Sequence, residues 1–75
     1  MKIALSVRQQ DVLNLLAQGF PDRKIAERLG ISPKTVSVHL RFIYGKLEVH
    51  SRLQAVVKAS KMGIVNFDFL KRRAA

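Results

Sequence analysis

The chain has 75 residues, enough for one domain near the lower size limit for folding without staples. It contains no cysteine, which excludes disulfides, zinc fingers and thiol nucleophiles. Fourteen Lys and Arg against five Asp and Glu give a net charge of +9, which points to a polyanionic partner: DNA, RNA or an anionic membrane surface.

Apolar residues make up 48% of the chain, sufficient for a small core but not for one that encloses a sizeable substrate. No apolar run approaches the roughly 20 residues needed to cross a bilayer. The start of the chain, Met1 to Ser6, is too short in its apolar part for a secretory signal. A soluble, unexported, cytoplasmic protein is therefore expected. The sequence has no Gly-rich phosphate loop, nucleophile elbow, paired carboxylates or metal-ligand spacing, so neither catalysis nor a cofactor or metal is expected.

The punctuation predicts four short helices. Ser6-x-x-Gln9 is a capping-box pattern that opens the first, with Val12, Leu13, Leu16 and Ala17 as its apolar face and Gly19 as its stop. The second begins near Asp22, carries Ile25, Ala26 and Leu29, and ends at Gly30. Gly30, Ile31 and Ser32 form a three-residue link of the kind that a helix-turn-helix requires.

The third helix, about residues 33–47, is the most informative. Ser32 suits the N-cap, and Pro33 suits the first helical position, where its missing N–H costs nothing. Val36, Leu40, Ile43 and Leu47 recur at spacings of four, three and four, which gathers them on one side. Lys34, Ser37, Val38, Arg41 and Gly45 lie on the other. Such a face suits a DNA major groove: Arg donates two bonds to guanine, Ser bonds several base edges, and Val contacts a thymine methyl. Lys34, Lys46 and Arg52 are candidate phosphate contacts, which position a protein without reading sequence. His39 flanks the apolar stripe. With no Cys or acidic cluster beside it, a structural or phosphate-contacting role is favoured over metal ligation.

Ser51-x-x-Gln54 is a second capping box, opening a fourth helix with Leu53, Val56, Val57 and Ala59 and stopped by Gly63. Val57 and its neighbours are core or dimer surface. The domain is placed at residues 1–63, followed by a tail at 64–75 that is partly packed or frayed. In that tail Ile64 is expected to fold back on the fourth helix, Phe67, Phe69 and Leu70 to extend the core or a partner contact, and Lys71, Arg72 and Arg73 to add phosphate contacts. The fold class is all-α.

From Leu5 to about Val57 the chain resembles the LuxR-type (GerE-like) DNA-binding domain of bacterial transcription regulators. The resemblance is carried by Leu5-Ser6-x-Arg8, Val12-Leu13, Gly19, Lys24-Ile25-Ala26, Leu29-Gly30-Ile31-Ser32, Thr35-Val36, Val38-His39, Ile43, Lys46-Leu47-x-Val49 and Ser51-Arg52-x-Gln54-Ala55-Val56. It implies a four-helix helix-turn-helix domain that binds double-stranded DNA, with an inverted repeat as the expected site. The third helix would lie in the major groove, with Ser37, Val38 and Arg41 toward bases. Thr35, Lys46 and Arg52 match positions that lie near phosphates or brace the domain, and His39 joins the phosphate candidates. It also implies a homodimer through the fourth helix, for which Val56, Val57 and Ser60 are the candidates. Such domains stand alone or follow a receiver or ligand-sensing domain, and RNA polymerase is a further possible partner. The alternatives are a protein-interaction module, or a non-specific binder of RNA or anionic membrane.

Four departures from the family pattern stand out. Gln9 replaces a usual Glu. Pro21-Asp22-Arg23-Lys24 replaces a Ser-Asn-x-Glu opening, which leaves Asp22 as the expected cap of the second helix. Ser37 replaces a frequent Lys or Arg. Gly45, inside the third helix, costs up to about 1 kcal/mol relative to Ala and permits close approach to DNA or to the first helix.

Overall fold

The computed structural model describes residues 3–65. Four helices follow in chain order: α1 (Val7–Ala17), α2 (Asp22–Leu29), α3 (Pro33–Leu47) and α4 (Arg52–Lys61). No strand occurs among the described residues. Helix α3 packs against each of the other three, so its apolar stripe is the axis of the core. Val36, Ile43 and Leu47 are fully buried and Leu40 nearly so. Val12, Leu13 and Leu16 from α1 and Ile25 and Ala26 from α2 complete one side of that core.

The predicted serine caps of α1 and α3 form. Ser6 Oγ accepts the Gln9 backbone N–H and Gln9 Oε1 accepts the Ser6 N–H, both at 3.0 Å, which closes the capping box of α1. Ser32 Oγ accepts the Thr35 N–H at 3.1 Å at the start of α3. At the start of α4 the pattern differs from expectation. Ser51 Oγ accepts the Gln54 N–H at 3.1 Å, but the Gln54 side chain accepts the N–H of His50 rather than that of Ser51. Each helix N-terminus exposes donors with no partner inside the helix, and reaching one residue further back serves the same need.

Helix α2 corrects the expectation for Asp22. Pro21 holds the N-cap position without a side-chain bond, and Asp22 is the first helical residue. Its carboxylate still faces the positive end of the helix, which favours it there. The side-chain partner it takes is the Arg52 guanidinium, an ionised donor that outcompetes a neutral backbone N–H.

Helix α2 ends on Gly30 at φ +67°, where the Ile31 N–H turns back to the Ala26 carbonyl at 3.0 Å. Helix α3 ends instead on Glu48 at φ +57°, a left-handed conformation that costs a side-chain-bearing residue about 1–2 kcal/mol. Glycine, the usual signal of such a stop, is absent there.

Helix α4 departs most from its expected face. Its core contacts are Ala55 and Ala59, both fully buried, whereas Leu53 is 73% and Val57 43% exposed. Val56 is half-buried against the core. As expected, Ile64 folds back: its N–H meets the Ala59 carbonyl at 2.9 Å after the Gly63 stop. Gln10 Nε2 then donates to the Ile64 carbonyl at 3.1 Å, and Val65 enters the core. The expectations for Phe67, Phe69, Leu70, Lys71, Arg72 and Arg73 lie outside the described residues.

Candidate nucleic-acid interface

Burying Val36, Leu40, Ile43 and Leu47 leaves the opposite side of α3 turned to solvent, because residues a half-turn away point outward. Lys34, Ser37, Val38 and Arg41 are all exposed, as their spacing predicts. Val38 is 39% exposed although valine is a core residue type. Ser37 and Arg41 share a shallow depression with Leu40, Tyr44, Asp22 and Arg52. Thr35 and His39 are half-buried on the flanks, with the Thr35 hydroxyl 2.9 Å from Ser32 Oγ.

Lys46 and Arg52, expected at phosphates, are engaged inside the domain. Lys46 Nζ donates to the Ala4 carbonyl and to Gln9 Oε1, both at 2.8 Å. The amide of Gln9 therefore holds a cation where the family pattern has a carboxylate, by a charge-assisted hydrogen bond rather than an ion pair. Arg52 donates to the Phe20 carbonyl at 3.2 Å and pairs with Asp22. It thus ties the α1–α2 turn and the start of α2 to the start of α4. Nearby, Arg28 lies over the Phe20 ring at 4.4 Å. Burial raises the Tyr44 pKa above 10.0, against the nearby Arg52 cation, which lowers it, and with a smaller upward push from the Asp22 carboxylate.

Phe42 was not singled out by sequence reasoning, and Leu53 was read only as one of the apolar residues of the fourth helix. Phe42 is 57% exposed on the outward side of α3, one turn after Val38. Its i+4 spacing from Val38 was the available signal. Leu53 joins Val57, Val49, His50, Lys58 and Lys61 in lining an open apolar groove along α4. Of the dimer candidates, Val57 and Ser60 are exposed, while Val56 is drawn toward the core beside Ala55. Gly45 is exposed, and a Cβ built there meets nothing within 4 Å, so the expectation that it admits α1 is corrected.

A helix with one basic face exposed, joined to α2 by a three-residue turn, defines a helix-turn-helix domain. The family model described as "Bacterial regulatory proteins, luxR family" matches residues 3–59, and the chain belongs to that family. Its fold is the LuxR-type DNA-binding domain. The nitrate/nitrite response regulator protein NarL of Escherichia coli K12 is 43% identical over 53 residues, covering 71% of this chain and 24% of NarL. Among solved structures, the transcription factor GerE superposes with a TM-score of 0.77 at 31% identity, covering 83% of this chain and 92% of that one. VqmA of Vibrio cholerae, a LuxR-type receptor described as a dimer in the absence of its target DNA, gives a TM-score of 0.83 at 31% identity, covering 87% of this chain and 30% of VqmA. The chain spans 7% to 24% of the length of the first curated relatives it matches.

Proposed function

We propose that this domain binds duplex DNA sequence-specifically in the bacterial cytoplasm, with α3 in the major groove and two copies joined through α4. One observation carries the reading: α3 buries four large apolar residues and leaves Lys34, Ser37, Val38 and Arg41 on the opposite, exposed face. Arg41 is assigned to guanine, Ser37 to a neighbouring base edge and Val38 to a thymine methyl. Lys34, Thr35 and His39 are assigned to phosphates. Lys46 and Arg52 act first as braces, and any phosphate contact they make adds to that role.

The open groove at Leu53 and Val57 supports a two-fold contact, since contiguous exposed apolar surface marks interaction sites. A two-fold dimer fits an inverted repeat with half-sites roughly 10 bp apart, centre to centre. The larger setting is that of a regulator of transcription, either stand-alone or as the output domain behind a receiver or ligand sensor, with RNA polymerase as a further partner.

The test is selection of random duplex DNA by this chain at physiological salt, with the bound pool sequenced. An enriched inverted repeat is expected. Arg41→Ala should then lose about 1–3 kcal/mol on that site and relax one base preference. Retention without enrichment that vanishes as salt rises would leave only polyanion binding and overturn the base-reading assignments.

A further inference from the structure

We infer that Phe42 is a specificity-determining residue that reads a thymine C5-methyl group, one helical turn beyond the base contact assigned to Val38. The inference rests on α3 entering the major groove. Three observations converge on it.

Phe42 is 57% exposed, although it stands in the helix that supplies the largest part of the core. It follows Val38 by four residues, so the two side chains lie about 6 Å apart along the axis and about 40° apart around it. Gly45, three residues further on, is also exposed and has nothing within 4 Å of where a Cβ would stand. Val38, Phe42 and Gly45 therefore form an apolar strip on the outward face, with Val38 and Gly45 near its middle and Phe42 set to the side away from Arg41. Lys34 and Arg41 border that strip and are exposed.

The chemistry of the strip limits what it can meet. An aromatic ring pressed against phosphates would strip their hydration and return no hydrogen bond. Against base edges it would bury most donors and acceptors unpaired. The thymine methyl is the one apolar group that a base pair displays in the major groove, and Phe is among the side chains that contact it. The missing side chain at Gly45 leaves room for the groove wall to close over the ring. The basic residues beside the strip supply the attraction to DNA, and the ring supplies discrimination.

The experiment starts from the site enriched by the wild-type chain. Each thymine of one half-site is replaced in turn by uracil, which lacks only the methyl, and affinity is measured by fluorescence anisotropy. Wild type is expected to lose about four-fold at two separate thymines, the ratio that burial of one methyl corresponds to. Phe42→Ala should lose sensitivity at one of the two and keep it at the other, and Phe42→Leu should restore part of it. Thermal melting of both variants should match wild type, since the ring is largely outside the core. Identical uracil profiles for wild type and Phe42→Ala would overturn the inference while leaving DNA reading intact, as would an equal loss on thymine and uracil sites. Failure to enrich any site would remove the DNA-reading proposal itself, before any Phe42 variant is made.

Discussion

Helices α3 and α4 each start from a serine N-cap and each carry large apolar residues at helical spacing, yet they turn them in opposite directions. In α3 the large residues Val36, Leu40, Ile43 and Leu47 go in, and the smallest residue, Gly45, faces out. In α4 the small residues Ala55 and Ala59 go in, and Leu53 and Val57 face out. The difference separates two kinds of work. Helix α3 holds the domain together with one side and offers hydrogen-bonding and basic groups with the other. Helix α4 sits on the core through alanines, which allow close approach, and leaves its larger apolar side chains exposed among the described residues.

The comparison breaks or stands on a few substitutions, beginning with the largest effect. Ile43→Ala should cost about 2–5 kcal/mol in urea unfolding. A domain of this size holds about 4–11 kcal/mol in total, so the variant should be close to unfolded. The matching change in α4, Leu53→Ala, should stay within about 0.5 kcal/mol. Equal losses would mean that α4 carries as much of the core as α3.

Next in size is Ala59→Leu, which forces a larger side chain into the fully buried seat of α4. It should destabilise by about 1–3 kcal/mol, measured in the same way. An unchanged midpoint would show that α4 is not closely seated.

Gly45→Ala should raise stability by up to about 1 kcal/mol, because a Cβ there meets open space and alanine favours the helix. If the strip along α3 meets DNA, the same variant should bind the selected site less tightly. A stability gain without a binding loss would place Gly45 outside the interface.

The smallest expected effect comes from Tyr44 on α3. Burial raises its pKa above the ordinary 10.0 in the folded domain. The unfolded chain then releases the phenolic proton first, so the contribution is fully present below pH 10 and is lost as pH rises toward the folded value. Tyr44→Phe should flatten that part of the stability profile in alkaline titration, and an unchanged slope would show that the phenol does not contribute.

The fold was legible wherever a local rule decides the outcome. A 3.6-residue repeat with one unbroken apolar stripe admits one buried face, so the inward side of α3 was readable residue by residue. Serine caps and glycine stops marked most helix ends, because they satisfy backbone groups within a few residues of themselves. The end of α3 at Glu48 was reached without its usual signal, since the chain bore the cost of a left-handed non-glycine residue there.

The remaining features needed contacts between distant parts of the chain. On α4, Leu53 and Val57 show the spacing of a core stripe, and only the placement of Ala55 and Ala59 in the core decides that they face out. Lys46 and Arg52 read as free cations at the level of composition. Their acceptors, the Ala4 and Phe20 carbonyls, lie 42 and 32 positions away. No local pattern couples residues so far apart, so whether a long basic side chain reaches outward or braces the domain is decided in three dimensions. The sequence by itself determined four helices, three of them opened by serine caps, together with the inward stripe of α3 and a basic outward face, because periodicity and capping are local. The tertiary structure alone decided which side of α4 is open and that Asp22 answers Arg52, because each depends on which elements pack together.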